Sequence, residues 1–188
     1  MLKADLRKIY FKKNSHISPS ERLENSARIS QKFFSDFELS GIRILNLFLS
    51  IVSVREIETD FIYEKIWGDF PWIKIVVPRV KDNEIESHEF RPATNLALSS
   101  WQIPEPIGNE LIEADQIDLV LVPLLCFDKR GFRVGYGKGF YDKFLKKCRA
   151  DCLKIGVSYF PPIEEISDIN DFDVTLDYCI TPKKIWKI

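Results

Sequence analysis

Net charge is nearly absent from this chain. Lys plus Arg number 27 and Asp plus Glu 28, for a formal charge of −1. No global field therefore exists to hold nucleic acid or an anionic membrane, and any bound anion must be caught by a local pocket. Histidine is scarce, with only His16 and His88, and the four cysteines (Cys126, Cys148, Cys152 and Cys179) contain no C-x-x-C pair. A zinc site or disulfide framework is not expected; reduced, buried thiols are. Long apolar runs are also missing. The most apolar stretch, residues 44–54, contains Asn46 and is too short to span a bilayer. The opening Met1-Leu2-Lys3-Ala4-Asp5-Leu6-Arg7 is charged and lacks the apolar centre of a signal peptide. No internal repeat, low-complexity tract or linker interrupts the chain. These absences predict a cytosolic, soluble protein with no membrane or nucleic-acid partner, and a monomer by default.

What is present is a core. With 188 residues and 45% apolar content, the chain is expected to fold as a single domain over 1–188. Leu2, Leu6, Ile9 and Tyr10 recur at helical spacing. Ser18-Pro19-Ser20-Glu21 predicts a second helix start, with Ser18 as cap, Pro19 at the first helical position and Glu21 completing a capping box. That helix is expected to run to Ser35. Beyond Gly41, strands alternate with helices. Residues 42–50, 73–77 (closed by Pro78), 117–122 (stopped by Pro123) and 153–158 read as buried strands. Thr59-Asp60 is expected to cap one helix, and residues 138–148 to form another. Residues 85–90 alternate apolar with polar, as a peripheral strand does. This order predicts a three-layer α/β/α sandwich around a mostly parallel sheet.

The segment Val122 to Asp142 carries the chemistry. A buried strand runs into a long loop that turns glycine-rich where a helix begins, and three of the eight glycines, Gly135, Gly137 and Gly139, occupy alternate positions. Alternating glycines permit positive φ and let backbone N–H groups converge on one centre. A following helix start, Arg133 and Lys138 add positive charge. Asp142 stands where a carboxylate could hold Mg²⁺ against the same phosphates. Taken alone, the string fits a tight turn with a solvated basic face equally well. It is neither a Walker loop, having no Gly-Lys-Ser or Gly-Lys-Thr, nor a G-x-G-x-x-G dinucleotide fingerprint.

The whole string closely resembles the C-terminal signature of the 5-formyltetrahydrofolate cyclo-ligases, through Phe127-Asp128, Gly131, Arg133, Gly135, Tyr136, Gly137, Gly139, Tyr141 and Asp142. Other landmarks of that family follow in order: Lys3-Ala4-Asp5-Leu6-Arg7, Leu49-Ser50, Glu56-Ile57-Glu58-Thr59, Val77-Pro78-Arg79-Val80, Ile103-Pro104-Glu105-Pro106, and the spaced pair Asp173 and Asp177. The departures are Phe140 for a common Tyr, Val134 for Leu, Lys138 where many members carry Gly, and Phe172 where a His often stands. Residues 51–55 are also longer than usual.

The resemblance implies conversion of 5-formyltetrahydrofolate with MgATP into 5,10-methenyltetrahydrofolate, ADP and phosphate, through a phosphorylated formyl oxygen. It implies Arg133 and Lys138 as catalytic cations. ATP would be held by Lys3, Arg7, Arg133, Val134, Gly135, Tyr136, Gly137, Lys138, Gly139, Phe140 and Tyr141. Leu49, Glu56, Trp101, Tyr136 and Phe140 would face the folate, and Asp142 with Asp173 would hold Mg²⁺. Two other classes share the glycine-rich anion site: a sugar-phosphate isomerase or transferase, and a non-catalytic nucleotide-binding regulator. Neither accounts for Lys3 to Arg7, Glu56 to Thr59 and the Arg133 to Asp142 run together.

Overall fold

The computed structural model describes residues 1–99 and 102–188. Helix α1 (Lys3–Ser15) buries Leu6, Tyr10 and Asn14, one residue per turn on a single face. Helix α2 (Pro19–Asp36) begins with the expected capping box: Glu21 N–H donates to Ser18 Oγ at 3.2 Å, and Ser18 N–H donates to Glu21 Oε2 at 2.8 Å. Its buried face carries Arg22, Ser26, Ile29, Ser30 and Phe33.

Strands β1 (Ile44–Asn46), β2 (Lys74–Lys81) and β3 (Glu84–Glu89) flank helix α3 (Asp60–Asp69) in the chain. A small hairpin of β4 (Leu96–Leu98) and β5 (Pro104–Pro106) follows, then β6 (Leu111–Ile112) and β7 (Leu119–Pro123). A second hairpin, β8 (Cys126–Phe127) with β9 (Arg133–Val134), leads to α4 (Phe140–Leu145). Strands β10 (Leu153–Val157), β11 (Tyr178–Ile180) and β12 (Ile185–Lys187) complete the chain. Eight strands form one sheet in the order β12-β11-β10-β7-β1-β2-β3-β6. The central pairs, from β11 to β2, are parallel, and the outer ones are antiparallel.

The period of two along each strand separates two cores. Leu45, Ile75, Val77, Leu119, Leu121, Ile155 and Val157 meet Ile29 and Phe33 of α2 and Ile62 and Ile66 of α3. Val76, Val120 and Val122 face the opposite way, onto Phe144 and Leu145 of α4. The three-layer sandwich expected from the sequence is thus the fold. A third cluster packs Leu6 and Tyr10 of α1 against Cys126, Val134 and Ile166, so α1 lies on the β8–β9 hairpin. Among the described residues no helix is long and apolar enough to cross a membrane.

Four local expectations change. Strand β1 ends at Asn46, with one further bond from the Leu47 N–H to Val76 O before residues 48–50 leave the ladder. Strand β2 runs through Pro78 instead of ending before it. Phe90 N–H donates to Ile75 O, so strand alternation turns the Pro78 nitrogen away from β3, toward the side that β1 leaves after Asn46. On that same edge the Val80 N–H is taken by Glu105 Oε1 at 3.1 Å. Thr59 holds the N-cap position of α3 as expected, but it is fully buried and its hydroxyl donates to Phe48 O at 2.7 Å, so its side chain makes no capping bond. Helix α4 has six residues, not the eleven of 138–148, because the chain tightens after Leu145 into turns such as Lys147 N–H to Phe144 O.

Candidate active site

The chain order places β2 on one side of β1, and β7 with β10 on the other. That reversal is a topological switch point, and ligand crevices in open α/β sheets form beyond the strand C-termini at such points. Here a cleft of ≈ 520 Å³ opens there, with Phe48 and Leu49 past the end of β1 and Pro123 at the end of β7 among its walls. This volume suits a small-molecule site.

One half of the cleft is polar. Lys3 and Arg7, one helical turn apart on α1, reach it together with Arg133, residues 135–139, Asp142 and Asp173. Arg7 Nε donates to Gly135 O at 2.9 Å. Gly137 has φ of 95°, and a Cβ there would lie 3.1 Å from the Arg7 guanidinium. Glycine is required both by the left-handed backbone and by that close approach. Gly139 shares a positive φ, 69°, as it turns the loop into α4. Among the described residues the N–H groups of Gly137 and Gly139 have no protein acceptor. They suit an anion, whereas Gly135, the first of the three alternating glycines, does not take the positive φ expected of it. With only six residues, α4 sums few peptide dipoles, so the loop and the cations carry this half.

Arg133 is tied into the fold through both terminal nitrogens of its guanidinium. Its side chain is 5% exposed, and one Nη2 donates to Asp142 Oδ1 at 2.7 Å while Nη1 donates to Val174 O. Burial lowers its pKa, and the charges of Asp142 and Asp173 pull it back up. Asp142 Oδ1 also accepts the Val174 N–H at 3.1 Å. Asp173 is paired with Lys3 Nζ at 2.5 Å and accepts the Asn170 N–H at 2.8 Å. Among the described residues no group of three or more His, Cys, Asp or Glu side chains stands ready for a metal. The carboxylates present still fit a magnesium ion that arrives on a nucleotide. Such an ion keeps waters and phosphate oxygens and needs one or two protein carboxylates. Asp142 Oδ2 makes no hydrogen bond in the described structure, whereas both Asp173 oxygens are engaged.

The other half is apolar, walled by Leu49, Ile51, Val54, Pro78, Val80, Ile85 and Ile103, with Glu56 among them. Glu56 is 6% exposed, and its Oε2 accepts the Ile51 N–H at 2.8 Å. Burial pushes its pKa up to about 7 against the opposing pull of the Ile51 N–H, the Tyr136 hydroxyl and the Arg22 guanidinium. Arg22 itself donates through Nε to the Glu56 backbone carbonyl at 2.6 Å and pairs with Glu58 at 2.6 Å. Tyr136 and Tyr141, which also line the cleft, have phenols raised by burial and by the Glu56 charge.

Of the site residues expected from sequence, the cleft gathers Lys3, Arg7, Leu49, Glu56, Arg133, Val134, Gly135, Tyr136, Gly137, Lys138, Gly139, Phe140, Tyr141, Asp142 and Asp173. Trp101 lies outside the described residues; its neighbour Ile103 lines the cleft. Sequence reading missed Arg22 and, apart from Leu49, the apolar wall. Arg22 did carry a signal: it occupies the buried stripe of α2 with Ser26, Ile29 and Phe33, a place where an unpaired charge is costly.

Comparison with known proteins bears on the family and the fold. The model of the 5-formyltetrahydrofolate cyclo-ligase family matches residues 2–182. The chain is 30% identical over 139 residues to the 5-formyltetrahydrofolate cyclo-ligase of Mus musculus, covering 70% of this chain and 68% of that protein. It is 29% identical over 184 residues to that of Mycoplasma genitalium, covering 94% and 97%. Among solved structures, a 5,10-methenyltetrahydrofolate synthetase from Aquifex aeolicus superposes with a TM-score of 0.85 at 28% identity, over 100% of this chain and 93% of that one.

Proposed function

The chain belongs to the 5-formyltetrahydrofolate cyclo-ligase family, and we propose that it closes 5-formyltetrahydrofolate to 5,10-methenyltetrahydrofolate with MgATP, releasing ADP and phosphate. The observation that carries this reading is the division of one cleft into a cation-rich glycine half and an apolar half holding a buried carboxylate. The two halves suit a nucleotide and a reduced folate that must react with each other.

The chemistry explains why both must be present. A formyl oxygen is a poor leaving group, so direct attack by N10 on the formyl carbon stalls. Transfer of the γ-phosphoryl group to that oxygen gives an iminophosphate; N10 then closes the ring and phosphate departs. Catalysis consists of aligning the formyl oxygen with the γ-phosphorus and neutralising developing charge. Lys3, Arg7, Lys138 and the N–H groups of Gly137 and Gly139 would hold the triphosphate. Arg133 would contribute through the face of its guanidinium not used by Asp142 and Val174. Asp142, through Oδ2, would hold the nucleotide's magnesium, which supplies Lewis-acid stabilisation of phosphoryl oxygens. Asp173 would serve mainly by fixing Lys3. Leu49, Glu56, Tyr136 and Phe140 would face the pterin.

Purified protein mixed with MgATP and 5-formyltetrahydrofolate should develop the near-ultraviolet absorbance of the methenyl product, with one ADP per product. No absorbance and no folate-dependent ADP would defeat this reading.

A further inference from the structure

Ring closure, if it proceeds as proposed above, must dispose of a proton. The N10 lone pair forms the new bond to the formyl carbon, the N10–H proton leaves, and the C–O bonding pair departs with phosphate. The cleft lining contains three carboxylates among the described residues. Asp142 and Asp173 are committed to ion pairs with Arg133 and Lys3 in the nucleotide half. Among the described residues Glu56 makes no salt bridge, since Arg22 binds its backbone carbonyl and gives its side-chain pairing to Glu58.

Adjoining the main cleft, and sharing Phe48, Glu56, Pro123 and Tyr136 with it, lies a second cavity of ≈ 10 Å³ whose lining also includes Asn14 and Tyr159. That space admits one water molecule. Two buried polar atoms on residues of its lining, Asn14 Oδ1 and Tyr159 Oη, have no protein hydrogen-bond partner. Asn14 is 5% exposed and belongs to the buried stripe of α1 otherwise made of Leu6 and Tyr10. A buried amide and a buried phenol left unsatisfied are each costly, and native structures satisfy such groups through ordered water. A single water here can accept from the Tyr159 hydroxyl and donate to both Asn14 Oδ1 and the Glu56 carboxylate. Three hydrogen bonds are the usual complement of an internal water.

We propose that Glu56 is the catalytic base that receives the N10 proton, and that Asn14 and Tyr159 are positioning residues that hold a buried water against its carboxylate. The water solvates the charged form of an acid that is otherwise enclosed. The groups facing Glu56 are Arg22 of α2, Tyr136 of the glycine loop and Tyr141 of α4, while Tyr159 after β10 faces Arg22, Ser26 and Glu58. Of these only Arg22 is cationic, so burial dominates and holds the acid near neutrality. A base is most effective when its pKa lies near the working pH.

The test is the pH profile of kcat/KM for 5-formyltetrahydrofolate at saturating MgATP, in wild type, Tyr159→Phe and Asn14→Leu. Wild type should lose activity as pH falls through an acid limb. Either variant removes a partner of the water, so the Glu56 charge is less well solvated and the limb should move upward by about half a pH unit or more. The KM for ATP should stay within about twofold. Tyr159→Phe is nearly isosteric and carries the test alone should Asn14→Leu fail to fold. A limb that stays in place in Tyr159→Phe, in an enzyme with normal turnover, overturns this inference alone. A wild type that makes no product overturns the ring-closure reading itself.

Discussion

Lys3 and Asp173, 170 positions apart in the chain, meet in an ion pair of 2.5 Å that ties the first turn of α1 to the loop before β11. Both side chains are largely shielded, 17% and 14% exposed, and both line the polar half of the cleft. The two ends of the sequence therefore close the site together.

A double-mutant cycle with Lys3→Ala and Asp173→Ala should show a coupling of about 1–3 kcal/mol in denaturant unfolding, since each single change leaves a shielded charge without its partner. Lys3→Ala should also raise the KM for ATP more than Asp173→Ala does. Additive effects would mean that the pair contributes nothing to the folded state.

Asp142→Asn is expected to reduce turnover steeply while leaving the protein folded. Read as an exposed helix-start acid, Asp142 would matter little for stability. The structure instead bonds its Oδ1 to Arg133 and to the Val174 N–H. Asparagine keeps an acceptor there but loses the charge, and the expected stability loss rises to about 1.5–3 kcal/mol. Turnover close to wild type at limiting Mg²⁺ would remove Asp142 from the metal.

Arg133→Ala and Lys138→Ala should separate stability from nucleotide binding. The Arg133 change strips Asp142 and Val174 of a buried partner and should lower stability by about 3–5 kcal/mol as well as ATP use. Lys138 is exposed, and its replacement should weaken ATP binding with a much smaller change in Tm than the Arg133 change. A larger loss of ATP affinity in Lys138→Ala than in Arg133→Ala would reverse the roles assigned to them.

Glu56→Gln should be less active than wild type yet more stable in mild alkali. Folding raises the Glu56 pKa from 4.5 to about 7. Its contribution to stability is therefore complete below the unfolded value and is lost as pH rises through the folded one. Glutamine cannot ionise, so above about pH 7 the variant should gain up to roughly 3 kcal/mol over wild type, and the gap should close toward about pH 4.5. Calorimetric titration should show weaker folate binding with ATP affinity nearly unchanged. Loss of ATP binding with folate binding intact would move Glu56 to the nucleotide side.

Much of this was legible because the signals are local. The capping box at Ser18 to Glu21 needs only four consecutive residues, and the glycine loop needs only its own spacing. Pro78 was misread because its tolerance depends on β1 leaving that edge after Asn46, which no window around Pro78 contains. Thr59 looked like a cap, but its hydroxyl is claimed by Phe48, eleven residues earlier. The burial of Glu56 and the second cavity depend on α1, α2 and the glycine loop converging. Only the polar residues Asn14 and Arg22 on otherwise buried helix stripes hinted at that convergence.

The central claim is that the γ-phosphoryl group is transferred to the formyl oxygen before the ring closes. It is tested most directly by supplying 5-formyltetrahydrofolate labelled with oxygen-18 in the formyl group and analysing the products by mass spectrometry. The account predicts that each inorganic phosphate released carries one labelled oxygen, in step with the methenyl product. Unlabelled phosphate formed alongside labelled water would contradict it.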